Sequence, residues 1–230
     1  MASALKNPLH QAVKSGNFRA VKRRLKLGDD LEAKDGFSWT PLHVAAYEGK
    51  KGIALLLMNE GADLEAKDSE LWTPLLMATA SDKPDVVEDL IEYGANIEAT
   101  LWTQSTPLHV AASYGRTAVL EILLKLEANC RAQTIKGNTA LHLAVKNKHV
   151  EIVAALLKAR SEQIIDIQNA EGETALHMAI KTGDMEDIVS SLIEAGARVD
   201  IEDQASEEGF LEIQQERCVC TEGQNCFALR

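Results

Sequence analysis

Thr106-Pro107-Leu108-His109-Val110-Ala111-Ala112 decides how this chain is read, because close variants of it recur along the sequence. They run NPLHQAV from Asn7, TPLHVAA from Thr40, TPLLMAT from Thr73, TALHLAV from Thr139 and TALHMAI from Thr174. Their second residues stand at 8, 41, 74, 107, 140 and 175, so the spacing is 33 residues four times and then 35. A fixed period of this size is the signature of a repeat architecture rather than of a single globular core.

Each copy carries its own local instructions. Thr40 supplies a side-chain oxygen for the first free amides of a helix, and Pro41 occupies the first helical position, where its missing N–H costs nothing. A helix is therefore predicted to start at Thr40 and to end at Gly49, which suits the left-handed residue of a helix C-terminus. Its apolar face, Leu42, Ala45 and Ala46, is narrow and alanine-rich, so neighbouring helices can approach closely. Ile53, Leu56 and Leu57 then repeat at helical spacing up to Gly61, giving a bulkier second helix whose face one unit cannot bury. Stacking against the next copy buries it, which predicts a solenoid with a continuous core and a concave side.

Composition agrees. Apolar residues make up 46% and aromatics 4%, so aliphatic and alanine contacts must supply the core. No apolar run approaches the 18 or so residues of a membrane span, and MASALKNPLH lacks a long apolar signal region. The net charge of −11 argues against a nucleic-acid reader, since phosphates are repelled in aggregate. Charge is nonetheless uneven: residues 1 to 28 hold seven bases and no acid, and residues 200 to 230 hold eight acids against two bases. Lys22-Arg23-Arg24-Leu25-Lys26 reads as the solvated outer face of a capping first repeat, with an import or docking patch as the alternative.

The motif, its period and the Gly-Ala-Asp/Asn endings (Gly61-Ala62-Asp63, Gly94-Ala95-Asn96) resemble the ankyrin-repeat family over roughly residues 5 to 203. The resemblance implies an all-α ankyrin-repeat solenoid of six stacked helix-turn-helix units joined by β-hairpin loops. The repeats fall at about 5–34, 35–67, 68–100, 101–133, 134–168 and 169–203. Residues 204–230 form an acidic, cysteine-containing tail, either capping or disordered. Phe210, Leu211 and Ile213 are candidates to cover the end of repeat six.

Within this frame several departures carry expectations. Repeat three has Leu76 at the His position, Asp82 at the Gly position, and Pro84, where its second helix should begin. In repeat five Arg160-Ser161-Glu162-Gln163-Ile164-Ile165 replaces Gly-Ala-Asp with two extra residues and is expected to protrude as a loop. Repeat six has one surplus residue between Thr182 and Ile188.

Candidate chemistry is sparse. His10, His43, His109, His142 and His177 all fall at the fourth motif position, where the resemblance implies structural hydrogen bonds, and His149 resembles the start of a second helix. None is left for catalysis, and rings about 10 Å apart, the spacing of packed helices, cannot share a metal. Cys218, Cys220 and Cys226 offer three thiols without a fourth ligand nearby, so zinc is disfavoured. Cys130 sits at an apolar position. No phosphate-cradling loop follows Gly36, Gly137 or Gly172. The chain is expected to be no enzyme and to need no cofactor or metal. The family's usual work implies a protein-protein interaction module, a scaffold, adaptor or inhibitor, monomeric and cytoplasmic, with nuclear residence as the alternative. A different reading is a membrane-recruited regulator held through a modified cysteine tail.

The partner should contact positions that the repeat leaves free. The residue before each motif Thr lies at a hairpin tip, and in repeats two to six it is Trp39, Trp72, Ser105, Asn138 and Glu173. Phe37 and Trp102 share such tips, and Tyr47 and Tyr114 end first helices. Phe37, Trp39, Tyr47, Trp72, Trp102 and Tyr114 are the candidate partner-binding residues, with Trp39 and Trp72 central. The alternative is that these rings pack between neighbouring hairpins.

Overall fold

The structure, a computed structural model, describes residues 7 to 202. The tail with Cys218, Cys220, Cys226 and the candidate cap Phe210, Leu211 and Ile213 lies outside the described residues. Helices come in pairs at the predicted period, as α1 (Pro8–Lys14) and α2 (Phe18–Lys26), α3 (Pro41–Glu48) and α4 (Lys51–Asn59), and α5 (Pro74–Ala80) and α6 (Pro84–Glu92). They continue as α7 (Pro107–Tyr114) and α8 (Thr117–Lys125), α9 (Ala140–Lys146) and α10 (Val150–Ile164), and α11 (Ala175–Thr182) and α12 (Glu186–Glu194). No regular strand occurs among the described residues.

The chain forms two compact units, meeting at Asn129 and Cys130. In the first, α1, α3, α5 and α7 pack side by side in order, and α2, α4, α6 and α8 do the same. In the second, α9 packs on α11 and α10 on α12.

Local chemistry explains the helix ends. Thr40 caps α3 in extended conformation, Pro41 is its first residue, and Gly49 closes it at φ 67°. Leu42, Ala45 and Ala46 are buried at 1% exposure or less, which is the narrow face the sequence predicted. In repeat three, α6 begins at Pro84, and Asp82 takes the left-handed role of the missing glycine at φ 55°. Three residues separate α11 from α12 where two separate α7 from α8, which places the surplus residue of repeat six in that turn. Met185, at its end, turns inward.

The predicted loop of repeat five is not a loop. α10 runs on to Ile164 past a break at Arg160 (φ −150°, ψ 30°), and Ile164 and Ile165 are buried. The reason is chemical: with Ser161 in place of the helix-ending glycine, nothing favours a left-handed stop. Two isoleucines then gain more from burial than from solvent, so the surplus residues are absorbed as extra helix.

Side chains bridge successive repeats on the turn after the second helix. In the first unit Glu32, Glu65 and Glu98 accept from the backbone amides of Asp63, Asn96 and Asn129 at 2.9, 2.8 and 2.7 Å. In the second, Asp166 accepts from Arg198 N–H at 2.9 Å. Each bond satisfies a backbone donor that the end of the helix would otherwise leave to water. On the basic first repeat, Arg24 pairs through Nε and Nη2 with both carboxylate oxygens of Asp29, whereas Lys22, Arg23 and Lys26 face solvent.

Candidate functional site

The hairpin tips are built on an acid. Asp35 N–H donates to Trp39 C=O (3.0 Å), and one carboxylate oxygen of Asp35 accepts from the amides of Phe37 (2.8 Å) and Trp39 (3.0 Å). One repeat later Asp68 does the same for Glu70 and Trp72, at 2.8 and 2.9 Å. Ser38 and Leu71 sit left-handed at φ 64° and 66°, a strained state that the doubly bonded aspartates hold in place. The tips are thus rigid mounts for the side chains they present.

On these mounts the aromatic residues gather. The Trp39 ring lies between Phe37 and Tyr47, with centroids 5.9 and 5.3 Å away and each pair tilted by 46°, the oblique geometry that aromatic quadrupoles favour. Trp39 also donates its indole N–H to the second oxygen of Asp68 (3.1 Å), which ties the tip of repeat two to that of repeat three. Phe37, Trp39, Tyr47 and Trp72 line one pocket of about 320 Å³, with Met77 and Ala80 supplying further apolar wall. Asp68, Ser69, Glu70 and Ser81 supply its polar rim.

The six sequence candidates therefore separate. Four share the pocket. Trp102 and Tyr114 are not among its lining residues, and they stand 68% and 52% exposed. Trp39 and Trp72 are half-buried, and Trp39 combines both readings of the sequence, covering a neighbouring tip while presenting a ring to the pocket. Asp68, Glu70, Met77 and Ser81 were missed. Glu70 was the most accessible to sequence reasoning, since it stands 33 residues after Phe37 at the same tip position.

The tip of repeat four differs. Leu101 stands where Asp35 and Asp68 stand in the preceding repeats, so the acceptor that would answer the indole of Trp72 is replaced by an alkyl chain. Among the described residues the Trp72 indole N–H has no partner.

The motif histidines hold neighbouring repeats together. His10 and His43 donate from Nε2 to the carbonyls of Trp39 (2.8 Å) and Trp72 (3.0 Å), and in the second unit His142 donates to Glu173 (3.0 Å). A carbonyl only accepts, so the proton resides on Nε2. Nδ1 is then free to accept from the Thr40 amide at 3.2 Å and from its hydroxyl at 2.9 Å, with the same pair at Thr139. Repeat one has Asn7 in place of threonine, and the buried Nδ1 of His10 has no partner. Leu76, fully buried, fills the histidine place of repeat three with an apolar side chain.

Burial pushes the imidazoles of His43 and His142 below the ordinary histidine value, outweighing the carbonyl bonds that act the other way. A folded-state value below the unfolded one means that the unfolded chain binds protons first on acidification. Stability is thus full above about pH 6.5 and falls as pH drops below it toward the folded value. Urea midpoints at pH 7.5 and 5.5 should show this decline, and the doubly substituted His43→Asn, His142→Asn chain should show less of it.

No group of three or more His, Cys, Asp or Glu side chains suited to a metal occurs among the described residues. No helix among them is long and apolar enough to cross a membrane.

The family model for ankyrin repeats, three copies in length, matches residues 9–101 and again 108–203. The chain belongs to the ankyrin-repeat family. Among solved structures it is similar to the ankyrin repeat domain of Bcl-3, described as a unique member of the IkappaB protein family. The TM-score is 0.81 at 27% identity, over 93% of this chain and 100% of that one. A search of curated proteins found no match. Ankyrin repeats are generally non-enzymatic modules of protein-protein interaction. The pocket on the tips of ankyrin repeats two and three lies at positions the repeat framework does not prescribe.

Proposed function

We propose that this ankyrin chain is a non-catalytic binding module that docks a protein partner on the hairpin tips and first-helix ends of repeats two and three. Trp72 carries this reading: a half-buried tryptophan on the wall of an aromatic pocket, with its indole donor unanswered. Large aromatic side chains in part-desolvated pockets are the usual anchors of interfaces, each worth about 2 kcal/mol or more. Trp102 and Tyr114 extend the exposed aromatic surface beyond the pocket. Scaffold and adaptor are the roles open to such a module, and the likeness to a domain of the IkappaB protein family adds that of inhibitor. The module works as a monomer, in the cytoplasm or nucleus.

The test compares the intact chain with Trp72→Ala and with Trp39→Ala plus Trp72→Ala. Quantitative mass spectrometry of proteins retained by each should show partners weakened more than about tenfold by Trp72→Ala, a change of ~1.4 kcal/mol. The melting temperature of that single variant should stay within a few degrees of wild type. The double variant also loses the Trp39–Asp68 bond, so it should melt somewhat lower. Equal retention by all three chains would end the assignment of this surface.

A further inference from the structure

The pocket is more specific than an apolar cleft. Two carboxylates, Asp68 and Glu70, stand at the edge of four aromatic rings, and no basic side chain lines it. The two acids are not equivalent. Asp68 is committed, accepting the amides of Glu70 and Trp72 on one oxygen and the Trp39 indole on the other, so it contributes charge but little bonding capacity. Glu70 is exposed, and among the described residues its carboxylate has no partner. On the opposite rim the Ser81 hydroxyl is buried without a hydrogen bond.

Resting on the binding-module reading above, we propose that this pocket receives an arginine side chain from an extended segment of the partner. An alkyl side chain would desolvate two carboxylates and return no bond to them, which is unfavourable. A cation is attracted by the faces of the rings and by the acids together. Among cations, guanidinium fits this set: it is planar, weakly hydrated, stacks on aromatic faces and offers five donors in a fixed fork. One edge of the fork meets Glu70 in charge-assisted bonds while the face lies on the rings, and another donor reaches Ser81. A lysine ammonium is compact and strongly hydrated, and a trimethylated one donates no hydrogen bond, so neither uses Glu70 and Ser81 together with the ring faces. The free Trp72 indole is placed to donate to a backbone carbonyl of the same segment. The chain's net charge of −11 favours a basic segment over an acidic one.

The experiment uses the full chain labelled with nitrogen-15, following the indole signals of Trp39, Trp72 and Trp102, assigned by single substitutions. The probe is the blocked peptide acetyl-Gly-Ser-Arg-Ser-Gly-amide, beside versions with citrulline, lysine, trimethyl-lysine or leucine in place of arginine. The arginine peptide should shift the Trp39 and Trp72 signals saturably and leave Trp102 in place. Citrulline, its uncharged counterpart, should bind at least about fivefold more weakly, and raising salt should weaken the arginine peptide. Glu70→Gln should weaken arginine binding by about threefold or more and leave the leucine peptide unchanged. No saturable shift at millimolar arginine peptide, or equal binding of citrulline or leucine, overturns the proposal. Tighter binding of trimethyl-lysine overturns it in favour of a quaternary ammonium cage. If arginine fails while Trp72→Ala still loses its retained proteins, the module stands and only the arginine assignment falls. If both fail, both fall.

Discussion

Leu108→Ala and Leu141→Ala are each expected to lower unfolding free energy by about 2 to 5 kcal/mol, while Lys22→Ala stays within about 0.5 kcal/mol of wild type. Leu108 and Leu141 lie in α7 and α9 at 1% and 0% exposure, each wedged in the narrow face where alanines bring neighbouring helices close. Such a site has little freedom to collapse around a lost side chain, so the cavity persists and the cost is at the upper part of the range for buried leucines. Lys22 projects from α2 into solvent, and its removal eases repulsion with Arg19, Arg23 and Lys26 as much as it loses contact. Urea titration of the three variants reads the difference. Equal losses would mean that the inner helices are not the core of the stack.

Gly137→Ala is expected to be the other severe change, and it acts through the backbone. Gly137 sits at φ 71°, where a side chain costs roughly 1 to 2 kcal/mol by itself. A methyl group there would also stand 2.5 Å from the backbone nitrogen of Ala170 and 2.9 Å from the carbonyl carbon of Asn169, with no flexible side chain to yield. That approach belongs to a bond between hairpins, Ala170 N–H to Lys136 C=O at 3.0 Å, which the methyl would force apart. Gly183 is the control. Its φ of 68° is nearly the same, yet nothing lies within 4 Å of the site a methyl would take. Gly183→Ala should therefore show the backbone strain alone, and Gly137→Ala should exceed it by about 1 to 3 kcal/mol, the usual range for overpacking. Matching losses in denaturant titration would remove the close approach as a cause.

Much of this architecture was written in the residues. The Thr-Pro pairs dictated where α3 and α5 start, Pro84 where α6 starts, and the spacing of the motif where each pair of helices falls. These signals are local, and a short helix end depends on few residues. The helical continuation through Ile164 was not legible, because a missing glycine and two isoleucines read as an insertion until neighbouring helices are present to bury them. The site was half legible for the same reason. Its aromatic residues stood out at the tip positions, and Leu101 in the aspartate place was visible at a step of 33 residues. That Trp39 would turn to Asp68, and that Trp102 would lie outside the pocket lining, depends on where the adjoining tip stands in space, which no pattern within one repeat specifies.

The histidine and glutamate bridges also bear on how the chain finds its fold. Their partners are 29 residues apart for His10 and His43, and 31 apart for Glu32, Glu65, Glu98 and His142. None of these bridges closes a loop much longer than one repeat, so the entropy lost at each closure is small and nearly the same everywhere. Low contact order of this kind favours rapid assembly, and nucleation at any adjacent pair of repeats can propagate outward. A nascent chain emerging from the ribosome has its first complete pair in hand once residue 67 is clear, long before the last repeat is made.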